Sequence, residues 1–166
     1  MKHSSVSSSR ASGFTLVEAL LVLAVAAVVL AIASPNFSSL SATMRVRSTT
    51  ADLLADLNFA RSEAVKRNSV VAVSPLGGQW TQGWSITRID PADASRNEML
   101  RTRNAVGNMV GFSGAPTSLS FDAAGRVVIA DISSFKVCPP DSTGMPGRLV
   151  RIDPSGQSRS TSVSCT

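Results

Sequence analysis

Apolar residues fill the chain from Phe14 to Ala33, where Thr15 and Glu18 are the two polar positions in twenty. A run of that length has the reach of a membrane-spanning helix. From Phe37 to Asn68 the pattern changes to helical spacing, with Phe37, Leu40 and Met44, then Leu53, Leu57, Ala60 and Ala64, along the apolar stripe. This predicts an amphipathic helix continuing the apolar one. Glu63 stands four residues before Arg67, a pair worth about 0.2–0.5 kcal/mol on a helix, and Lys66 and Arg67 complement its negative end. Asn68 suits a left-handed cap.

Beyond Asn68, short apolar runs broken by Gly, Pro and Ser follow the grammar of strands and turns. The predicted strands are Val70–Ser74, Trp84–Ile89, Leu119–Phe121, Arg126–Ala130, Phe135–Cys138, Arg148–Ile152 and Ser158–Val163. Asp90–Asn104 is polar and irregular and reads as an exposed loop. Phe121-Asp122-Ala123-Ala124-Gly125 and Ile152-Asp153-Pro154-Ser155-Gly156 share an apolar-Asp-x-x-Gly pattern, each predicting a β-hairpin turn. Trp80 and Trp84 read as core, bulky enough for a single sheet to bury the apolar face of the helix; a base-stacking platform is the alternative.

Length and charge narrow the picture. A chain of 166 residues, 43% hydrophobic, accommodates one ordinary domain plus extensions. Residues 1–13 carry Lys2 and Arg10 and no acid, whereas the first basic residue after the apolar run is Arg45. The positive-inside bias therefore predicts a cytoplasmic N-terminus and a head across the membrane. The alternative is a secretory signal cut after Ala31-Ile32-Ala33, but such an h-region is shorter and carries no carboxylate. Glu18 inside hydrocarbon costs roughly 2.5–3.5 kcal/mol and needs a partner. Cleavage between Gly13 and Phe14 would create an α-amine four residues before Glu18, in the same subunit or offered by a neighbour.

At these residues the chain resembles a known family. Gly13-Phe14-Thr15-Leu16-Val17-Glu18 is similar to the processing site of type IV pilins and pseudopilins. The resemblance implies cleavage after Gly13 by a prepilin peptidase, methylation of Phe14, and filament packing guided by Glu18, with Pro35 in the place of the family's helix-kinking proline. Phe59-Ala60-Arg61-Ser62-Glu63-Ala64-Val65-Lys66-Arg67-Asn68 and Trp80-Thr81-Gln82-Gly83-Trp84 narrow it to the GspH/FimT branch. The implied fold class is α+β, type IV pilin-like: a long N-terminal helix, membrane-spanning in its first half, packed on a C-terminal antiparallel β-sheet head. The implied organisation is a leader at 1–13, a transmembrane and filament-core helix at 14–35, its amphipathic half at 36–68, and a periplasmic head at 69–166. Function follows as a minor pilin of a type IV pilus in the bacterial inner membrane, with a minor pseudopilin of type II secretion as the alternative. Expected partners are other pilins, the peptidase, the membrane and double-stranded DNA.

The remaining chemistry is sparse. Loss of the leader removes His3, leaving no histidine and a charge of 14 − 11 = +3. Ser-His and Cys-His catalysis are then excluded. No Gly-x-Ser-x-Gly elbow, Walker-type loop or metal-ligand cluster appears in the sequence, so no enzyme, metal or cofactor is expected. Cys138 and Cys165 would lie on the oxidising side, where a disulfide is expected and two unpaired thiols are the alternative. Arg61 and Lys66 read as a solvated helix face rather than a nucleic-acid patch. From Lys136 onward, Lys136, Arg148, Arg151 and Arg159 outnumber Asp141 and Asp153 by 4 − 2 = +2. Strand alternation puts Arg148 with Ile152 and Arg151 on the other face, and Arg159 returns near Arg151 across the hairpin. DNA-binding FimT-like proteins carry a Gly-Arg-x-Arg motif in this tail; the match here is Gly156-Gln157-Ser158-Arg159, with Gln157 replacing the first arginine. The resemblance makes Lys136, Arg148, Arg151, Gly156 and Arg159 the candidate DNA contacts.

Overall fold

The computed structural model describes residues 14–128, 134–140 and 144–166, apart from the side chains of 32–38. The leader at 1–13, including Gly13, lies outside the described residues, as do the side chains of Pro35 and Phe37. Contacts divide the chain into two compact units, Met1–Ser38 and Ser39–Thr166.

One 52-residue helix, α1 (Leu16–Arg67), belongs to both. Thr15 opens it, its hydroxyl accepting from the Glu18 amide at 3.2 Å, so the sequence Thr-x-x-Glu starts the helix as half of a capping box. In the first unit the side chains from Phe14 to Leu30 are exposed and, Thr15 and Glu18 apart, apolar, with Leu16 at 76% and Leu30 at 69%. In the second unit the helix is one-sided: Val46, Leu53, Leu57, Ala60 and Ala64 are buried. It stops where the sequence predicts. Asn68 adopts φ 48°, its amide bonds to the Val65 carbonyl, and the Ser69 amide reaches the Ala64 carbonyl, which together form a Schellman motif.

Eight strands follow: β1 (Val70–Pro75), β2 (Trp84–Ile89), β3 (Glu98–Arg103), β4 (Gly111–Ser113), β5 (Leu119–Phe121), β6 (Ser134–Cys138), β7 (Pro146–Ile152) and β8 (Ser158–Ser164). They make two antiparallel sheets, ordered β3-β2-β1-β5 and β4-β6-β7-β8, rather than the single sheet expected. An aromatic cluster fills the junction: Trp80 meets Phe135 edge-on at 4.7 Å and lies 6.2 Å from Trp84. Both tryptophans are core, and one apolar cluster runs from α1 through Val71, Val73 and Ile86 of the first sheet to Phe135, Val137 and Val150 of the second. Burying those groups supplies the main stabilisation of the head.

Two further expectations are corrected. The Asp90–Asn104 segment is not all loop, because it contains β3; this edge strand carries charge instead of apolar alternation, as solvent-facing edges do. Arg126–Ala130 is not a strand over its described residues: Val127 makes an isolated bridge to Phe121, and 129–130 lie outside the described residues.

Candidate interaction faces

The helix stripe that packs on the head includes two acids: Glu63, near its end, and Asp56, which is fully buried between Leu53 and Leu57. Arg101 and Arg103 stand opposite Ile86 and Trp84 in the β2–β3 register, on the side of the sheet that carries the buried residues. They converge on the carboxylate: Arg101 donates at 2.7 Å, Arg103 Nε at 3.0 Å and the Trp84 indole N–H at 3.0 Å. Arg101 also lies 3.8 Å over the Phe59 ring. Burial pushes the Asp56 pKa up, but the hydrogen bonds from Arg103, Arg101 and Trp84 outweigh it and hold the carboxyl below its ordinary value. The sequence signal was an acid at the i+3 position from Leu53, inside the apolar stripe.

The two predicted Asp-x-x-Gly turns meet on the helix at Arg61. Its Nε donates to the Gly125 carbonyl at 3.0 Å, and the Val127 amide bonds to the Pro154 carbonyl, joining one turn to the other. Gly156 is buried with φ 80°, and a Cβ there would collide with the Gly125 carbonyl and approach Arg61 Nε to 2.9 Å. Arg61 therefore holds both turns against α1, which its reading as a solvated residue missed. At the helix end, Arg67 pairs with Glu63 at 2.6 Å, as the spacing predicted, and with Glu98 of β3 at 2.8 Å.

Cys138 and Cys165 form a disulfide, and it crosses directly over Gly147 of β7. Gly147 is buried, and a Cβ at that position would occupy the space of both sulfurs. The bond fastens the last strand to β6, with Lys136 Nζ reaching the Thr166 hydroxyl at 3.1 Å.

Three of the four tail cations, Lys136, Arg151 and Arg159, share one face of the second sheet, and Arg148 lies on the other. Arg151 faces Arg159 directly in the β7–β8 register, with Ser134 beyond, and the next pairs of the same face hold Lys136, Leu149 and Thr161. Arg148 pairs with Val137 and Ser162, on the face of Val150 and Ile152. Arg159 is engaged by the Asp153 carboxylate. Gly156 serves turn packing, as described above. Among the described residues no cluster of His, Cys, Asp or Glu could hold a metal ion, and no helix is long and apolar enough to cross a membrane.

A long helix bearing an N-terminal processing motif and packed on antiparallel sheets defines a pilin-like architecture. Residues 49–156 match the family described as Type II transport protein GspH, and residues 8–34 match the prokaryotic N-terminal methylation motif. The chain belongs to the GspH family of pilin-like proteins. Two crystal structures of the type IV minor pilin FimU of Pseudomonas aeruginosa (strain PAO1) are similar to it at 26% identity. The first superposes with a TM-score of 0.56, covering 69% of this chain and 91% of FimU; the second gives 0.57, with 69% and 86% covered. No curated protein matches the chain.

Proposed function

We propose that the protein is a minor pilin of a type IV pilus, cut after Gly13, methylated at Phe14, and held in the inner membrane with its head in the periplasm until assembly. The carrying observation is the surface of α1 from Leu16 to Leu30, apolar apart from Glu18 and exposed on every side among the described residues. Such a helix needs lipid or other helices around it. Glu18 lies in its first turn and is exposed, open to an α-amine from a neighbouring subunit. The likeness to FimU favours the pilus over the alternative, a minor pseudopilin of type II secretion, which the GspH family description supports. In either machine the role is structural.

Mass spectrometry of the mature chain tests this reading: the expected N-terminus is methylated Phe14, and a free Ser34 would instead establish secretion. DNA contact is the finer part of the proposal and belongs on the outer face of β6–β8. Lys136 and Arg151 are the cations there without a carboxylate partner among the described residues, which permits about two phosphate contacts and a log–log salt slope of about −0.9 for each. Weak binding of that kind gains by repetition along a filament. The full chain in detergent should retard duplex DNA at low salt, and joint replacement of Lys136, Arg151 and Arg159 by Ala should abolish it. Unchanged retardation refutes the assignment.

A further inference from the structure

On the second unit, α1 and the end of β3 enclose a polar cleft of about 330 Å³ that none of the contacts above fills. Arg45, Ser48, Thr49 and Asp52 line it from the helix, with Thr102 and Arg103 opposite. Two guanidiniums face one carboxylate, and that carboxylate is already engaged: Arg103 lies 3.7 Å from Asp52 while holding Asp56. Arg45 is exposed and has no ion-pair partner among the described residues. The cleft thus offers an unspent cation beside neutral hydroxyl donors, the chemistry that takes a carboxylate.

The neighbouring surface says where the carboxylate comes from. Leu40 and Met44, 50% and 59% exposed, stand at i and i+4 with Ser48 continuing the same line of the helix. An apolar patch with a polar, cationic rim has the anatomy of a protein–protein contact rather than of a small-molecule site. We propose that this surface docks an adjacent filament subunit, Leu40 and Met44 packing on apolar side chains of that subunit while Arg45 receives one of its Asp or Glu carboxylates in the cleft. The inference rests on the filament reading.

The test uses the full chain in cells that assemble the filament, comparing wild type, Arg45→Lys and Arg45→Glu by immunoblot of sheared filaments. Retention of the Cys138–Cys165 bond serves as the folding control. Arg45→Glu is expected to lower incorporation about tenfold or more, and Arg45→Lys to keep most of it. Suppressors of Arg45→Glu are expected to exchange an Asp or Glu for Lys or Arg in another subunit. Incorporation of Arg45→Glu at the wild-type level, or suppression arising solely within this chain, overturns the contact and leaves the filament reading standing. Absence of the wild-type chain from filaments overturns the filament reading and the contact with it.

Discussion

Replacing Asp56 tests the electrostatic joint between helix and sheet. The carboxylate is fully buried and accepts from two guanidiniums and one indole. Removing one partner of a buried pair costs about 3–5 kcal/mol when the other charge is stranded. Here the stranded groups have an escape, because the Arg101 and Arg103 side chains are 40% and 35% exposed and can turn to water. Trp84 has none, being 1% exposed, and an unsatisfied buried N–H costs about 1–3 kcal/mol. Asp56→Ala is therefore expected to destabilise the head by about 2–4 kcal/mol. Asp56→Asn keeps an acceptor for the indole and should lose about half as much. Urea unfolding of the full chain in detergent, followed by tryptophan fluorescence, reads this directly, since Trp80 and Trp84 are the chain's two tryptophans and both are buried. The sign of the pH effect follows from the lowered pKa. A carboxyl whose folded value lies below the ordinary 3.8 contributes fully above 3.8 and loses that contribution as the pH falls through the folded value. The stability gap between wild type and Asp56→Asn should therefore narrow below about pH 4. An Asp56→Ala protein with the wild-type urea midpoint, or a gap that stays constant into acid, refutes the reasoning.

Two other substitutions probe close packing. Gly156→Ala combines a left-handed backbone with a collision against the Gly125 carbonyl; a loss of about 2–5 kcal/mol is expected by the same urea assay, from about 1–2 for the backbone and 1–3 for overpacking. Gly147→Ala places a methyl group where both sulfurs lie. Alkylation of free thiols should then find Cys138 and Cys165 largely unpaired, and the head should lose most of the roughly 3–4 kcal/mol that closing this loop supplies.

Sequence reasoning succeeded where one element's own pattern decides its structure. Trp84–Ile89 and Leu119–Phe121 are strands with the predicted bounds, and Asn68 ends the helix in the predicted conformation. It failed where a residue's role depends on a distant partner. The arginines of β3 look like loop charge until Asp56, 45 residues earlier for Arg101, is seen beneath them. Gly111–Ser113 pairs with β6 through backbone groups, and three residues carry no periodicity to read. Gly156 matches a motif glycine by position, yet what fixes it in this fold is the backbone of the other turn and Arg61. Arg148 and Arg151 were correctly separated by strand alternation, whereas the engagement of Arg159 by Asp153 required the turn geometry.

The two parts of α1 present different problems to their surroundings. Between Val46 and Ala64 the helix packs its apolar stripe on the head, whereas Leu40 and Met44, which the sequence pattern puts on that stripe, stay exposed. Between Phe14 and Leu30, eleven large apolar side chains are more than half exposed. At about 1.5–3 kcal/mol for each one buried, transfer of this segment to lipid or to a bundle of helices is favoured by on the order of 15–30 kcal/mol. The penalty for Glu18 in hydrocarbon, roughly 2.5–3.5 kcal/mol, is about a tenth of that. Glu18 therefore cannot keep the helix out of an apolar environment. It can still choose among arrangements inside one, because alternative registers of the same apolar helix bury similar areas and differ by little else. A carboxylate with a fixed cation in one register and none in the others decides between them, which is how a single acid in an oily segment can direct assembly without driving it.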